Sequence, residues 1–194
     1  MKKFERNLRV SAGFWVLVLW FAAVNGLRTL GIVLAAAFLH EAGHWLALKA
    51  LGGRVLGLRI GILGAVMEAD CSRLSYGREL AVVLAGPTAN LVCAWLLTAF
   101  AGGMEAAVGA HLVLGAFNLL PVRPLDGGCG LYLLCAWLLG PDRGDRIVRV
   151  TGILTAAALA AGLCWLMGCT GGSLWLLPAA GGLLAAAWRE CSGN

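Results

Sequence analysis

The stretch from Leu30 to Leu51 reads LGIVLAAAFLHEAGHWLALKAL, and it is apolar except for a cluster of ionisable side chains near its middle and one lysine near its end. A helix rises about 1.5 Å per residue, so about 20 apolar residues cross a hydrocarbon core about 30 Å thick. The ionisable cluster consists of His40, Glu41 and His44. A charged group at the centre of a membrane helix costs about 2.5 to 3.5 kcal/mol on insertion scales, so this cluster indicates a functional site.

The composition of the whole chain supports a membrane protein. Of its 194 residues, 60% are hydrophobic and 13% are charged, whereas a soluble domain carries about 25% charged residues. Further apolar blocks accompany Leu30–Leu51, namely Val10–Leu27, Arg78–Phe100, Ala106–Leu120 with its continuation Leu131–Leu139, Val148–Met167 and Ser173–Trp188. We therefore predict an all-α polytopic membrane protein with about six transmembrane helices, formed as a single integral-membrane domain over residues 1–194.

Three segments depart from this helical pattern. In Gly52–Asp70, Val, Leu and Ile alternate with Gly and Arg in short runs, which predicts a small membrane-associated β-hairpin after the second helix. An exposed strand edge in Gly53–Met67, which includes Ile60 and Ile62, is expected to hold an extended peptide segment as an added strand. Gly86-Pro87 in AGPTAN predicts a kink in the third helix, and LLPVRPLDGG predicts a break of the fourth helix in mid-membrane.

The basic residues predict how the chain lies in the membrane. The formal net charge is +5, and the arginines and lysines gather before the first apolar block, after the second and before the fifth. In a six-span arrangement these clusters share one side, so the positive-inside rule predicts a multi-pass protein with both termini in the cytoplasm. This distribution argues against a nucleic-acid partner. The seven cysteines show no CxxC spacing and predict neither a disulfide framework nor a zinc ribbon.

The pattern His40-Glu41-Ala42-Gly43-His44 is an HExxH motif on a predicted helix. Side chains four residues apart share a helix face, so both imidazoles can reach one metal ion, and the neighbouring Glu41 can act on a water molecule. Zinc accepts imidazole nitrogen and carboxylate oxygen, and a catalytic zinc site has three protein ligands and one open position. The alternative is that the three side chains only bond one another within a helix bundle.

The third ligand must come from another part of the chain. Asp126 is the best candidate, because it is the only other acidic residue predicted at membrane depth and lies in the broken fourth helix. Irregular backbone at that depth must be buried in protein or face water. The alternative is that Asp126 caps the helix that resumes at Gly127, and one side chain can serve both roles.

Four further polar residues carry open alternatives. Asn118 either donates its amide to a substrate carbonyl or developing oxyanion, or bonds the loosened backbone of the broken helix. Asn90 in AGPTAN has the same two interpretations, with packing at the kink favoured. His111 is expected to be a hydrogen-bonding residue of the bundle rather than a ligand. Arg123 is expected to extend to the membrane surface rather than bind a substrate carboxylate or a phosphate headgroup.

Taken together, HEAGH, AGPTAN and NLLPVRPLDGG resemble the site-2 proteases, a family of intramembrane zinc metalloproteases. The resemblance runs from the second helix to the break of the fourth. It implies that His40, His44 and Asp126 hold one Zn²⁺ per chain and that Glu41 is the catalytic glutamate. GILGAVMEAD followed by RELAVVLAGP looks most like the sporulation branch, the stage IV type that processes a sigma-factor precursor in a bacterial membrane.

The resemblance also sets expectations for partners. The substrate is expected to be a membrane-associated protein or peptide in the lipid bilayer. Family members often carry a PDZ domain or a nucleotide-binding regulatory domain, neither of which is recognisable in this sequence, so a separate regulatory membrane partner is expected. Two other classes compete: a catalytically silent relative acting as a membrane regulator, and a metal-ion transporter, for which internal inverted repeats are expected but none is found.

Overall fold

The structure is a computed structural model that describes residues 7–61 and 64–169. The chain divides into two compact units, Met1–Phe117 and Asn118–Asn194. The first unit contains β1 (Asn7–Val10), α1 (Ala12–Ala50), β2 (Arg54–Gly61), β3 (Gly64–Asp70), α2 (Tyr76–Phe100) and most of α3 (Glu105–Asn118). The second contains α4 (Asp126–Leu139) and α5 (Pro141–Cys169).

Helix α1 consists of two helical segments that meet at Gly26. This residue has φ 80° and ψ 160°, a backbone conformation that is almost restricted to glycine. The break separates the two apolar blocks that were predicted as separate helices, but it lies inside Val10–Leu27, one residue before the predicted end of that helix. The first segment begins after Ser11, whose hydroxyl accepts a hydrogen bond from the Phe14 amide at 3.3 Å. The second ends with Lys49 in its last turn, where a cation is favourable because of the helix dipole.

The β-hairpin predicted after the second helix is present, but it belongs to a three-stranded sheet with the order β1-β2-β3. Strands β2 and β3 pair antiparallel, and β1 pairs parallel with β2, with Val10 opposite Ile60. Placing Val10 at the start of the first helix was therefore wrong. Its strand partner lies about 50 residues away along the chain, and parallel strands need a long crossover between them, which α1 provides. The local sequence does not show such a pairing.

The position of β2 also corrects the predicted strand edge. Over Gly57–Ile60, β2 is paired with β1 on one side and with β3 on the other, so this part of the predicted edge is occupied, and Ile60 pairs with Val10 and with Ala65. Within the described residues, the outer strands of the sheet are β1 and β3. Arg59 of β2 forms an ion pair with Glu68 of β3, which supports the hairpin register. Ile62, also considered in the prediction, lies outside the described residues.

Helix α2 is continuous through Pro87, at the point where a kink was predicted. Its buried residues are Val82, Gly86, Pro87, Asn90 and Ala94. Four of these recur every fourth residue, so they form one stripe along the helix. Helix α1 packs against α2 in the first unit. A Cβ atom at Gly43 would lie 2.7 Å from the Ala85 carbonyl oxygen and 2.9 Å from Ala89 Cβ, so Gly43 allows this close approach.

The predicted break of the fourth helix is confirmed, with different limits. Helix α3 ends at Asn118 rather than at Leu120, and α4 begins at Asp126 rather than at Leu131. The reason lies in Gly127 and Gly128, because side chains at either position would overlap the backbone of residues 119–123. Without side chains, both glycines can enter the first turn of α4. The predicted break included both glycines, because glycine is unfavourable in helices. Their packing against residues 119–123 explains the difference.

Among its described residues, the second unit is stabilised by small residues and by an ion-pair cluster. On α5, Gly144, Val148, Gly152, Ala156 and Ala160 are buried at every fourth position, and α5 packs against α4. The Arg123 guanidinium donates to Asp145 Oδ1 at 2.8 Å and lies over the Tyr132 ring. The prediction that Arg123 extends to the membrane surface did not include this ion pair and ring contact.

Three of the described helices, α1, α2 and α5, are long and apolar enough to cross a membrane. Large apolar side chains along them face outward, for example Leu27, Phe100 and Trp165. Such exposed apolar surface is what lipid contact requires. The structure is thus mostly helical with a small sheet. The predicted sixth helix, Ser173–Trp188, lies outside the described residues.

Candidate metal centre

The two histidines of the HExxH motif lie one turn apart in the second segment of α1. Their Nε2 atoms are 3.1 Å apart, and the ring centroids are 4.7 Å apart with the planes at 82°. Two nitrogens that each lie about 2.05 Å from a tetrahedral zinc ion are separated by about 3.3 Å. The pair therefore has the spacing that a shared metal ion requires. His40 is buried, at 4% exposure, and His44 is half-buried.

The orientation of His44 is fixed by α2. Its Nδ1 lies 2.9 Å from the backbone carbonyl oxygen of Val82. A carbonyl only accepts hydrogen bonds, so Nδ1 carries the proton and donates it, and the neutral ring leaves a lone pair on Nε2. This is how proteins commonly orient metal-binding histidines. The Nε2 edge of the ring lies directly against Gly86, where an added Cβ would overlap the imidazole.

The orientation of His40 depends on a second contact with α2. Its Nδ1 lies 3.2 Å from the Asn90 amide nitrogen, and the Asn90 amide oxygen lies 3.1 Å from Nδ1 of His111 on α3. All three side chains are buried, with Asn90 at 0% exposure. Asn90 therefore bonds two histidines, rather than only packing at the predicted kink. His111 is a hydrogen-bonding residue of the first unit, as predicted.

One stripe of α2 supplies these contacts. The Val82 carbonyl oxygen contacts His44 Nδ1, and Gly86 has no side chain that would overlap the same ring. The Asn90 amide contacts His40 Nδ1. The three residues are spaced by four, so they share one face of α2, just as His40 and His44 share one face of α1. Sequence reasoning missed the role of Val82, because a backbone carbonyl is independent of side-chain identity. The four-residue spacing of Gly86 and Asn90 was the available signal.

The remaining predicted site residues have these places. Glu41 follows His40 on α1 and is half-buried. The second unit begins at Asn118, which is the last residue of α3. Asp126, the first residue of α4, belongs to the same unit, and both residues are half-buried. The N-cap of α4 is Leu125, without a side-chain cap hydrogen bond, so Asp126 does not occupy the N-cap position. Its carboxylate in the first turn is favoured by the helix dipole.

Several known proteins are similar to this chain in sequence. No protein-family model matches it. A protein of Synechocystis sp. named as a candidate zinc metalloprotease is 30% identical over 167 residues, which cover 80% of this chain and 42% of that protein. Stage IV sporulation protein FB of Bacillus subtilis is 27% identical over 162 residues, which cover 77% of this chain and 55% of that protein. The chain thus spans about half the length of these curated relatives.

The fold is similar to that of a solved protein structure. The solved structure of the Site-2 Protease from Methanocaldococcus jannaschii matches with a TM-score of 0.67 and 19% sequence identity. The match covers 98% of this chain and 93% of that one, and at this identity it establishes the fold. Together the comparisons confirm the resemblance to site-2 proteases that the motifs predicted, and a sporulation protein is among the relatives.

Proposed function

We propose that this chain is a zinc metalloendopeptidase that cleaves a membrane-associated protein within the bilayer. The observation that carries the proposal is the pair of imidazoles in an apolar helix, with Nε2 atoms 3.1 Å apart and His44 held by the Val82 carbonyl. Ionisable side chains in a membrane helix are costly, and a shared metal ion accounts for this pair. The names of the curated relatives and the fold of the solved protease support the same reaction.

The residue roles follow from the chemistry of each group. We propose that His40, His44 and Asp126 hold one zinc ion, because two imidazoles and one carboxylate form a known catalytic ligand set. When bound, zinc supplies a Lewis acid that polarises the scissile carbonyl and an attacking water molecule. Glu41 accepts a proton from that water and returns it to the departing amine nitrogen. Asn118 donates its amide to the oxyanion that develops on the substrate.

The finer proposals concern the setting of the site. They comprise a single metalloprotease domain, six membrane spans with both termini in the cytoplasm, a sigma-factor precursor as the substrate, and a regulatory membrane partner. Support comes from the positions of the basic clusters and from the relative that is a sporulation protein. Because the substrate helix must unwind before its carbonyls can react, we further propose that the outer edge of β3 holds it as an added strand.

The test compares zinc content and cleavage of a co-expressed, membrane-anchored sigma-factor precursor in membranes. Glu41→Gln should keep the zinc and lower the cleavage rate by about 10²- to 10⁴-fold, because the amide cannot accept the proton. Asp126→Ala should lose both zinc and cleavage. The matched controls are Glu105→Gln in the first turn of α3 and Asp142→Ala in the first turn of α5, two exposed sites that should retain both.

Other outcomes would assign the chain differently. Zinc binding without cleavage of this precursor would reject the proposed substrate or indicate a missing partner, and a screen of other membrane-anchored proteins would separate the two. Zinc uptake into vesicles that is lost in Glu41→Gln would favour the transporter. A parent protein that binds no zinc would contradict the protease proposal itself.

A further inference from the structure

The buried contact between His40, Asn90 and His111 contains a constraint that zinc binding must satisfy. A neutral imidazole carries one proton, on either Nδ1 or Nε2. For the Nε2 of His40 to bind a metal ion, the proton must be on Nδ1, and Nδ1 must then donate. In the structure the group facing Nδ1 of His40 is the amide nitrogen of Asn90, which is itself a donor.

The orientation of an Asn amide is an assignment that follows the local hydrogen-bond network. In the orientation present here, His111 Nδ1 faces the Asn90 oxygen and His40 Nδ1 faces its nitrogen. This arrangement is satisfied when His40 carries its proton on Nε2, which is the tautomer that cannot bind metal through that atom. Rotation of the amide by about 180° exchanges the two ends and satisfies the other tautomer.

We propose that Asn90 is a positioning residue for zinc, whose amide presents its oxygen to His40 Nδ1 and its nitrogen to His111 Nδ1 when the metal is bound. This inference rests on the proposed zinc site. His111 completes the arrangement as the acceptor that holds the amide in this orientation, with its own proton on Nε2. Asn90 and His111 thus determine which tautomer of His40 prevails, although neither touches the metal.

Packing keeps the Asn90 side chain away from solvent. Its side chain is at 0% exposure, and buried polar groups in proteins are almost always hydrogen-bonded. Gly115 lies one turn after His111, and a Cβ there would approach Asn90 Cβ to 3.3 Å, so this glycine lets α3 come close enough for the contact. Both bonds of Asn90 would be lost with an apolar residue of similar size, whereas aspartate would still accept a hydrogen bond from His40.

The first test is zinc affinity, measured by competition with a chelator and therefore independent of any protease assay. Asn90→Leu should weaken zinc binding by about 10- to 100-fold, the usual effect of losing a group that orients a metal ligand. Asn90→Asp should restore most of the affinity. The matched control is Asn25→Leu, at an exposed asparagine that bonds only the Phe21 carbonyl of its own helix among the contacts described; it should bind zinc like the parent.

The second test needs no substitution, and it covers the case in which Asn90→Leu fails to fold. The chain has three histidines, so ¹⁵N-histidine labelling gives a spectrum that can be read residue by residue. In the zinc-loaded parent, His40 and His44 should be protonated on Nδ1, and His111 should be protonated on Nε2 only.

These outcomes separate the inference from the proposed function. A zinc-loaded parent in which His111 carries its proton on Nδ1 would overturn the inference and leave the zinc site intact. A folded Asn90→Leu variant with the affinity of the parent would do the same. A parent that binds no zinc would overturn both.

Discussion

At the scale of single residues, the metal centre depends on a glycine whose missing side chain leaves space for a histidine ring. Gly86 shows this most clearly, because it lies where the Nε2 edge of His44 meets α2. A helix-propensity scale predicts that this glycine destabilises α2, since glycine in a helix is about 1 kcal/mol less favourable than alanine. Its function is instead to leave the volume that the imidazole occupies.

We therefore predict that Gly86→Ala lowers zinc affinity, because the new methyl group must displace the His44 ring or push the helices apart. The measurement is zinc affinity by chelator competition, together with the thermal unfolding midpoint. The matched control is Gly31→Ala in α1, where an added Cβ meets nothing within 4 Å. That substitution should keep the affinity and leave the midpoint equal or higher. Equal affinity of the parent and Gly86→Ala would show that His44 does not bind zinc in this position.

At the scale of elements, the sheet determines where a substrate strand can be added. Among the described residues, β2 lies between β1 and β3, so an added strand has most room at an outer strand, and β3 adjoins β2 through a regular antiparallel register from Ala65 to Glu68. A substitution in β2, such as Ile60→Pro, would remove a hydrogen bond inside the sheet. It would therefore report on folding rather than on docking.

The test of docking belongs to β3. Along an antiparallel strand the backbone N–H groups point alternately to the two neighbours, so of the adjacent residues Val66 and Met67 one donates toward β2 and the other toward the outer edge. We predict that Val66→Pro and Met67→Pro differ: one destabilises the sheet, and the other leaves the fold intact but impairs cleavage. Both variants would be assayed for zinc content, thermal unfolding and cleavage. Two folded variants that cleave like the parent would contradict docking at β3.

At the scale of the whole molecule, zinc is expected to contribute to stability as well as to chemistry. A ligand that binds only the folded state stabilises it by about 4.1 kcal/mol at a free concentration 1,000 times its dissociation constant. Removal of zinc with a chelator should therefore lower the thermal unfolding midpoint of the parent in detergent, and added zinc should restore it. His44→Ala should have a low midpoint that the chelator does not change. If the parent had the same unfolding midpoint in the presence and in the absence of zinc, the expectation that zinc binds tightly to the folded chain would be wrong.

The sequence by itself determined the helical membrane class, the hairpin after the second helix, the break of the fourth and the HExxH pair, because each depends on periodicity or spacing within a short stretch. The tertiary structure alone decided the third strand, since Asn7–Val10 pairs with residues beyond α1. It also revealed the roles of Val82, Gly86 and Asn90, which orient the two histidines from another helix. A backbone carbonyl, an empty volume and a buried amide acquire these roles only when α1 and α2 pack together, and the four-residue spacing of Gly86 and Asn90 alone does not identify their partners.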